Sequence, residues 1–256
     1  MGRGPTVQAQ KDKNAKAKAK INTLHAKLIT LAAERGADPT QNNALADAIH
    51  TAKKDGVTAD VIDRAIKRGA GLDKEGAKVE EIFYEGYAPG GVAIIVRALT
   101  DNRNRTAPNI RHIFSAFGGN MGETGSVSNF MFDYKGQIIL QKLDDIDAFE
   151  LTILDTDAED YHIESETIEI VTDKADLIHV KKALLDAGYE ILSAGIGYVA
   201  KNFIEVTDFD NALKIYKMLE EFGEDEDVEV VWNNADISDT LWQEVVAFVE
   251  ARKFRT

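Results

Sequence analysis

The sequence predicts an α+β protein in which a small helical bundle precedes two mixed units of strands and helices. Three observations carry this reading. Within the first 69 residues, three amphipathic runs each stop at a glycine, as short helices do. Between Val79 and Val127, strand-like apolar runs flank a single helix-period stretch. From Gln137 to Leu192 the runs follow the order βαββαβ, which is that of a ferredoxin-like domain.

The chain opens on a polar, basic segment in which Arg3, Lys11, Lys13, Lys16, Lys18 and Lys20 stand against a single Asp12. It reads either as a solvated tail or as an arm that neutralises phosphates. A helix is predicted from about Ala15, with Ile21, Leu24, Leu28 and Leu31 as its apolar stripe and a stop at Arg35-Gly36. A second helix fits Asn43 to Lys54, burying Leu45, Ile49 and Ala52 and ending at Gly56. The third opens at Thr58 as N-cap, with Asp60 in its first turn, and runs through Val61, Ile62, Ala65 and Ile66 to Gly69. The cations Lys53, Lys54, Arg64, Lys67 and Arg68 either form one basic face or sit singly as solvated side chains. Three basic helices suggest a helix-turn-helix, yet no run carries side chains suited to base edges. Gly69 to Lys78 is a glycine-rich linker and the first domain boundary.

The stretch from Glu85 to Val127 is the most informative in the chain. A strand is predicted over Val79 to Tyr87, and Gly90-Gly91 turns the chain into a buried strand, Val92 to Val96. A polar loop follows, Asp101 to Arg105, and then a helix with Thr106 as N-cap and Pro108 in its first turn. Ile110, Ile113, Phe114 and Phe117 give that helix its apolar face, and Gly118 suits the left-handed position that ends it. Arg111, His112 and Ser115 fall on the opposite side. A further strand is predicted from Ser126 to Phe132. Arg103, Arg105 and Arg111 carry planar guanidinium groups that match phosphate oxygens. Their alternative is a structural network with Asp101 and Glu123.

The second mixed unit comprises strands Gln137 to Gln141, Tyr161 to Ile163, Thr167 to Val171 and one beginning at Glu190, with helices Asp144 to Leu154 and Ala175 to Ala187. Beyond it lie a strand at Phe203 to Val206, a helix at Asn211 to Phe222 and a strand at Val228 to Trp232. These supply what the first mixed unit lacks. Asp239 to Arg252 is a last amphipathic helix, with Leu241, Trp242, Val245, Phe248 and Val249 placed to dock on the body or on another subunit.

Composition narrows the function. The formal net charge is −14, but residues 1–78 hold 15 Lys and Arg against 9 Asp and Glu, whereas residues 79–256 hold 15 against 35. A basic contact region on an acidic body fits this asymmetry. The absence of cysteine excludes disulfides and thiolate chemistry and fits a reducing compartment. No apolar run approaches the roughly 20 residues of a membrane span, so the chain reads as cytoplasmic. None of the five histidines lies in a metal-ligand spacing, and no phosphate-cradling GxxxxGK[ST] loop is present. Glu123, Thr124 and Ser126 lack a base that would activate a nucleophile. Neither catalysis, a metal nor a cofactor is predicted.

The segments EGYAPGG (85–91), TDNRNRT (100–106) and GGNMGETGSV (118–127) resemble the central signature of the YebC/PmpR family. Its bacterial members are described as probable transcriptional regulators, and a mitochondrial relative activates translation. The resemblance runs more loosely from Ile21 to Ile237 and includes Glu226 to Asn234. It implies that the ferredoxin-like domain is inserted in the first mixed unit, giving 1–78 as a helical basic domain, 79–134 with 203–238 as a split α+β domain, 135–202 as the insert and 239–256 as a terminal helix. It further implies a nucleic-acid partner, duplex DNA or ribosomal RNA on the ribosome, where family members are implicated in translation of proline-rich stretches. The N-terminus departs from the family, which usually carries a tryptophan and a histidine-arginine-lysine cluster there. Contacts assigned to those residues do not transfer.

Overall fold

The computed structural model describes residues 4–73, 77–141, 143, 145–163 and 166–253, with side chains described from 17 to 252. Three helices come first: α1 (Gly4–Ala33), α2 (Asn43–Lys54) and α3 (Ala59–Gly69). Ile29, Ala33, Leu45, Ala52, Val57, Ile62 and Ala65 form their shared core. The bounds of α2 match the sequence reading because both ends carry strong local signals. The Asn42 side chain caps it by accepting from the Leu45 N–H at 3.1 Å, and at its other end Gly56 takes a left-handed φ of 78°. Thr58 stands at the start of α3 but its side chain makes no capping bond.

Helix α1 differs from expectation in two respects. It starts at Gly4 rather than near Ala15, and its buried apolar positions are Ile29 and Ala33 rather than Ile21, Leu24, Leu28 and Leu31. The physical reason is that α1 is covered from two sides. α2 and α3 take the face holding Ile29 and Ala33, while Lys20 and Lys27 on another face reach the acidic turn at 223–227. The three leucines fall between the two covers and are half-buried, and Ile21 is exposed. Gly69 lets α3 close on α1, since a Cβ there would lie 2.2 Å from the Thr30 carbonyl oxygen.

The chain continues with β1 (Glu80–Tyr87), a 3-10 turn (Pro89–Gly91), β2 (Ala93–Thr100), α4 (Arg103–Ala116), β3 (Asn120–Met121), α5 (Ser128–Met131) and β4 (Phe132–Gln141). Then come α6 (Ile146–Leu154), β5 (Ala158–Ile163), β6 (Thr167–Thr172), α7 (Leu177–Asp186), β7 (Ile191–Ala200) and β8 (Ile204–Glu205). It closes with α8 (Phe209–Glu224), β9 (Val228–Asn233), β10 (Ala235–Asp236) and α9 (Asp239–Lys253). The expected start of α6 at Asp144 lies outside the described residues.

Two four-stranded sheets result. In the order β5-β6-β4-β7 every neighbour is antiparallel, and α6 and α7 bury Ile138, Leu140, Phe149, Ile168, Ile170, Val180 and Leu184 against one face, which is the ferredoxin-like arrangement. In the other sheet, β3-β1-β2-β9, β2 pairs with β1 on one side, but β9, its partner on the other, arrives only after the whole ferredoxin-like unit has been built. That unit is therefore an insertion. Strand β2 is buried along nearly its whole length; Ile94 and Val96 meet Ile110, Phe114, Ile215, Met218 and Phe222, with α4 and α8 covering this face. On the other face Ala93 and Ile95 meet Val127, Phe132, Tyr198 and Trp232, which join the two sheets. α9 docks on α8, with Phe248 edge-on to Phe209 at 5.4 Å and Trp242 to Tyr216 at 5.3 Å.

Two further expectations are corrected here. Helix α4 begins at Arg103, not Thr106, because the Asn102 side chain accepts from the Arg105 N–H at 3.1 Å and caps it. Arg103 and Arg105 therefore stand in the first turn of a helix rather than in a loop. No strand spans Ser126 to Phe132; β4 starts at Phe132, preceded by the single turn α5. The N–H groups of Gly125, Val127 and Ser128 bond the Glu85 carboxylate at 2.7–2.9 Å and leave no ladder to form.

Candidate nucleic-acid interface

The junction of bundle and body is built on Asp227, which ends the acidic turn after α8 and is only 3% exposed. Lys27, itself 8% exposed, donates to its Oδ1 at 2.6 Å and to the Glu226 carbonyl at 2.9 Å. One amino group of Arg105 reaches both carboxylate oxygens, at 3.0 and 2.9 Å. The Thr106 hydroxyl lies 2.8 Å from Oδ2 and 2.8 Å from the Thr100 hydroxyl. Burial opposes ionisation of Asp227, yet hydrogen bonds from Lys27, Arg105 and Thr106 outweigh it and hold its pKa below the ordinary carboxylate value. The hydrogen bond to Asp227, with its charge, raises the pKa of Arg105 further.

The network extends into α3. Asp101 stands 3.6 Å from Arg105 and 3.2 Å from Arg68, which also donates to the Ala77 carbonyl. Arg68, Asp101, Arg105, Asp227 and Lys27 thus alternate in charge from α3, through the first turn of α4, to α1. The TDNRNRT segment is the staple. The network Arg105 joins uses Asp101 and Asp227; Glu123, the other carboxylate considered from sequence, is exposed in the 122–127 loop. Lys27 was invisible to sequence reasoning, because one lysine in an amphipathic run reads as solvated. Its spacing of seven from Lys20 was the available signal, since both amines reach the 223–227 turn.

The remaining cations are distributed over the bundle and α4. Lys18, Lys53, Lys54, Arg64 and Lys67 are exposed, Arg64 being paired within its helix to Asp60 at 2.6 Å. Lys20 is half-buried and donates to the Gly223 carbonyl; burial lowers its pKa despite the nearby Asp225 and Glu224. Lys11, Lys13 and Lys16 lie in α1, their side chains outside the described ones. Arg103 is exposed and 3.5 Å from Glu80, and Arg111 has no ion-pair partner among the described residues. Arg105 keeps 49% of its side chain exposed. Arg64 and Arg68, with Asn22 and Thr23, line an open cleft of about 350 Å³ between α1 and α3.

The other signature segments are structural clamps. Glu85 of EGYAPGG is buried, and its carboxylate accepts the three N–H groups named above together with the Ser128 hydroxyl at 2.8 Å. Burial works against its charge, but these hydrogen bonds prevail and depress its pKa. The buried Asn234 accepts from the Ala93 N–H at 2.7 Å and donates to the Asn202 carbonyl at 3.0 Å, closing the sheet where the chain returns. On the ferredoxin-like unit, Asp157, Asp176 and His179 bring ligand atoms within 4.8 Å of one another, a grouping that sequence spacing does not show.

A basic helical bundle stapled by an ion-pair chain centred on the buried Asp227 to a split α+β domain, itself interrupted by a ferredoxin-like unit, defines a three-part α+β protein. Residues 3–72 match the TACO1/YebC protein N-terminal domain and residues 79–235 the TACO1/YebC second and third domain, and the chain belongs to this family. The N-terminal match holds although the tryptophan and the histidine-arginine-lysine cluster are missing. A probable transcriptional regulatory protein of Clostridium novyi is 45% identical over 233 residues, covering 90% of this chain and 94% of that protein. One from Clostridioides difficile is 42% identical over 240 residues, covering 93% and 100%. The crystal structure of a conserved hypothetical protein from Aquifex aeolicus superposes with a TM-score of 0.78 at 38% identity, covering 86% of this chain and 91% of that one.

Proposed function

We propose that the protein is a non-enzymatic, nucleic-acid-binding regulator of gene expression that grips duplex DNA through its backbone phosphates. The observation that carries this is the separation of charge. Exposed Lys18, Lys53, Lys54, Arg64 and Lys67 belong to the bundle, where positive charge is in excess, while the rest of the chain is strongly acidic. Arg103 and Arg111 add to them, with Arg105 contributing the guanidinium edge that Asp227 leaves open. Lys11, Lys13 and Lys16 extend the grip along α1, whereas Lys20 is turned to the Gly223 carbonyl and Arg68 holds the bundle in register through Asp101. The acidic body, turned from the polyanion by repulsion, is left for solvent or a protein partner. The relatives' description as probable transcriptional regulatory proteins supports the same reading.

Fluorescence anisotropy of the full chain with a labelled promoter duplex and a random duplex tests it. Salt-dependent binding to both is expected, with dissociation constants of about 10⁻⁴ to 10⁻⁶ M for the non-specific component. No binding to either duplex at low salt would refute the duplex reading. A second reading has one observation in its favour. The exposed side of α3 mixes Asp60 and Asp63 with Arg64 and Lys67, which suits shape-based contacts better than base edges. This favours a ribosome-associated translation factor contacting ribosomal RNA. Co-sedimentation with ribosomal particles, lost at high salt, is its predicted signature; a protein that stays at the top of the gradient would contradict it.

A further inference from the structure

Strand β1 is fully covered on one side only. It pairs with β2 from Glu80 to Tyr87, whereas on its other side β3 reaches only Gly86 and Tyr87. The Gly122 N–H adds one more bond on that side, donating to the Glu85 carbonyl at 2.8 Å, and there the pairing ends. Main-chain groups alternate sides along a strand, so the Glu85 carbonyl shows that Phe83 and Glu81 also turn theirs outward. Among the described residues no hydrogen bond reaches the outward N–H and C=O groups of Glu81 and Phe83.

This free edge borders an open cleft of about 580 Å³. Residues 78–83 line it from the strand, Leu31 and Glu34 from α1, Arg103 from α4 and Thr124 from the 122–127 loop. Leu31, Ile82 and Phe83 are half-buried, so apolar surface remains uncovered beside the open main chain. The carboxylates Glu34, Glu80 and Glu81 outnumber the cations Lys78 and Arg103, which disfavours a phosphate chain within the cleft itself. They also disfavour a second copy of β1, whose own glutamates would join the same edge. What remains is an occupant that carries main-chain donors and acceptors at strand spacing, apolar side chains and no negative charge.

We propose that the 80–83 edge of β1 is a docking site for an extended segment of a partner protein, which adds to the sheet in line with β3. The segment exchanges main-chain hydrogen bonds with Glu81 and Phe83, and its alternate side chains pack beside Ile82 on one face of the sheet and Phe83 on the other. It is rich in apolar residues and free of acidic ones. The ladder to β2 holds the edge in strand conformation beforehand, which lowers the entropy lost on docking. The inference uses none of the bundle's exposed cations and stands apart from the nucleic-acid reading.

The test selects a phage-displayed library of random peptides on the full chain and maps an enriched peptide by amide NMR. Peptides with alternating apolar residues are expected, shifting the amides of residues 80–84 and slowing hydrogen exchange at Glu81 and Phe83. Methylating one alternate set of the peptide's N–H groups should abolish binding, whereas methylating the other set should leave it intact; this comparison leaves the protein unaltered. Glu81→Pro removes an outward N–H that the β2 ladder does not use, and is expected to bind the peptide about 10-fold more weakly with duplex affinity unchanged. Thermal melting of that variant separates a lost contact from a lost fold. No enriched peptide, shifts confined to other residues, or equal tolerance of both methylated sets would overturn the docking site. A labelled single-stranded RNA that shifts the 80–84 amides where no peptide does would assign the cleft to nucleic acid and overturn it as well.

Discussion

Asp227 shows how one residue can fasten two parts of a chain. A carboxylate this buried is costly unless compensated, and here Lys27, Arg105 and Thr106 compensate it from α1 and α4. Removing its charge leaves a buried ammonium without its partner. Asp227→Asn is therefore expected to destabilise the protein by about 3 kcal/mol, read by urea denaturation. In combination with Lys27→Met the loss should be smaller than the sum of the two single losses; additive losses would show that the pair does not couple. The sign of the pH effect follows from the depressed pKa values of Asp227 and Glu85. Their contribution is complete above the unfolded carboxylate pKa of about 4 and is lost as pH falls through the lower folded values. Melting temperature should therefore fall on acidification below about pH 4, and less steeply in Asp227→Asn than in the unaltered protein.

At the scale of elements, α1 and α3 meet because Gly69 carries no side chain. Gly69→Ala would drive a Cβ to 2.2 Å from the Thr30 carbonyl and 2.7 Å from the Ala33 Cβ, two contacts that cannot relax without moving a helix. We expect a loss of about 2 kcal/mol or more, detected as a lower urea midpoint; an unchanged midpoint would mean that the helices do not close as described. The sequence showed Gly69 only as a helix stop. Its second role depends on α1, whose packing is not local. The same limit explains the other departures. Asn102 and Thr106 are both capping residues within one short segment, and the choice fell to Asn102 because Thr106 turns inward to Asp227, 121 residues further on. Ser126 to Phe132 has strand-like content, but Glu85, about 40 residues earlier, takes its N–H groups. By contrast α2, β2 and the βαββαβ unit were legible because caps, glycines and periodicity agreed with their burial.

For the whole molecule, the bundle and the acidic body are electrically opposed and mechanically joined. The cations were legible in the sequence; which of them are occupied internally was not, because the carboxylates of the staple lie far along the chain. Among the described residues no helix is long and apolar enough to cross a membrane. In the proposed function, the bundle's exposed cations meet phosphates. The most direct measurement is the salt dependence of duplex DNA affinity for the unaltered chain and for Lys53→Ala/Lys54→Ala/Lys67→Ala, whose side chains are exposed and outside the staple. Log affinity should fall linearly with log salt, and the variant's slope should be shallower by about 0.9 for each phosphate contact removed, with melting unchanged. A variant whose affinity and slope equal those of the unaltered protein would contradict the account.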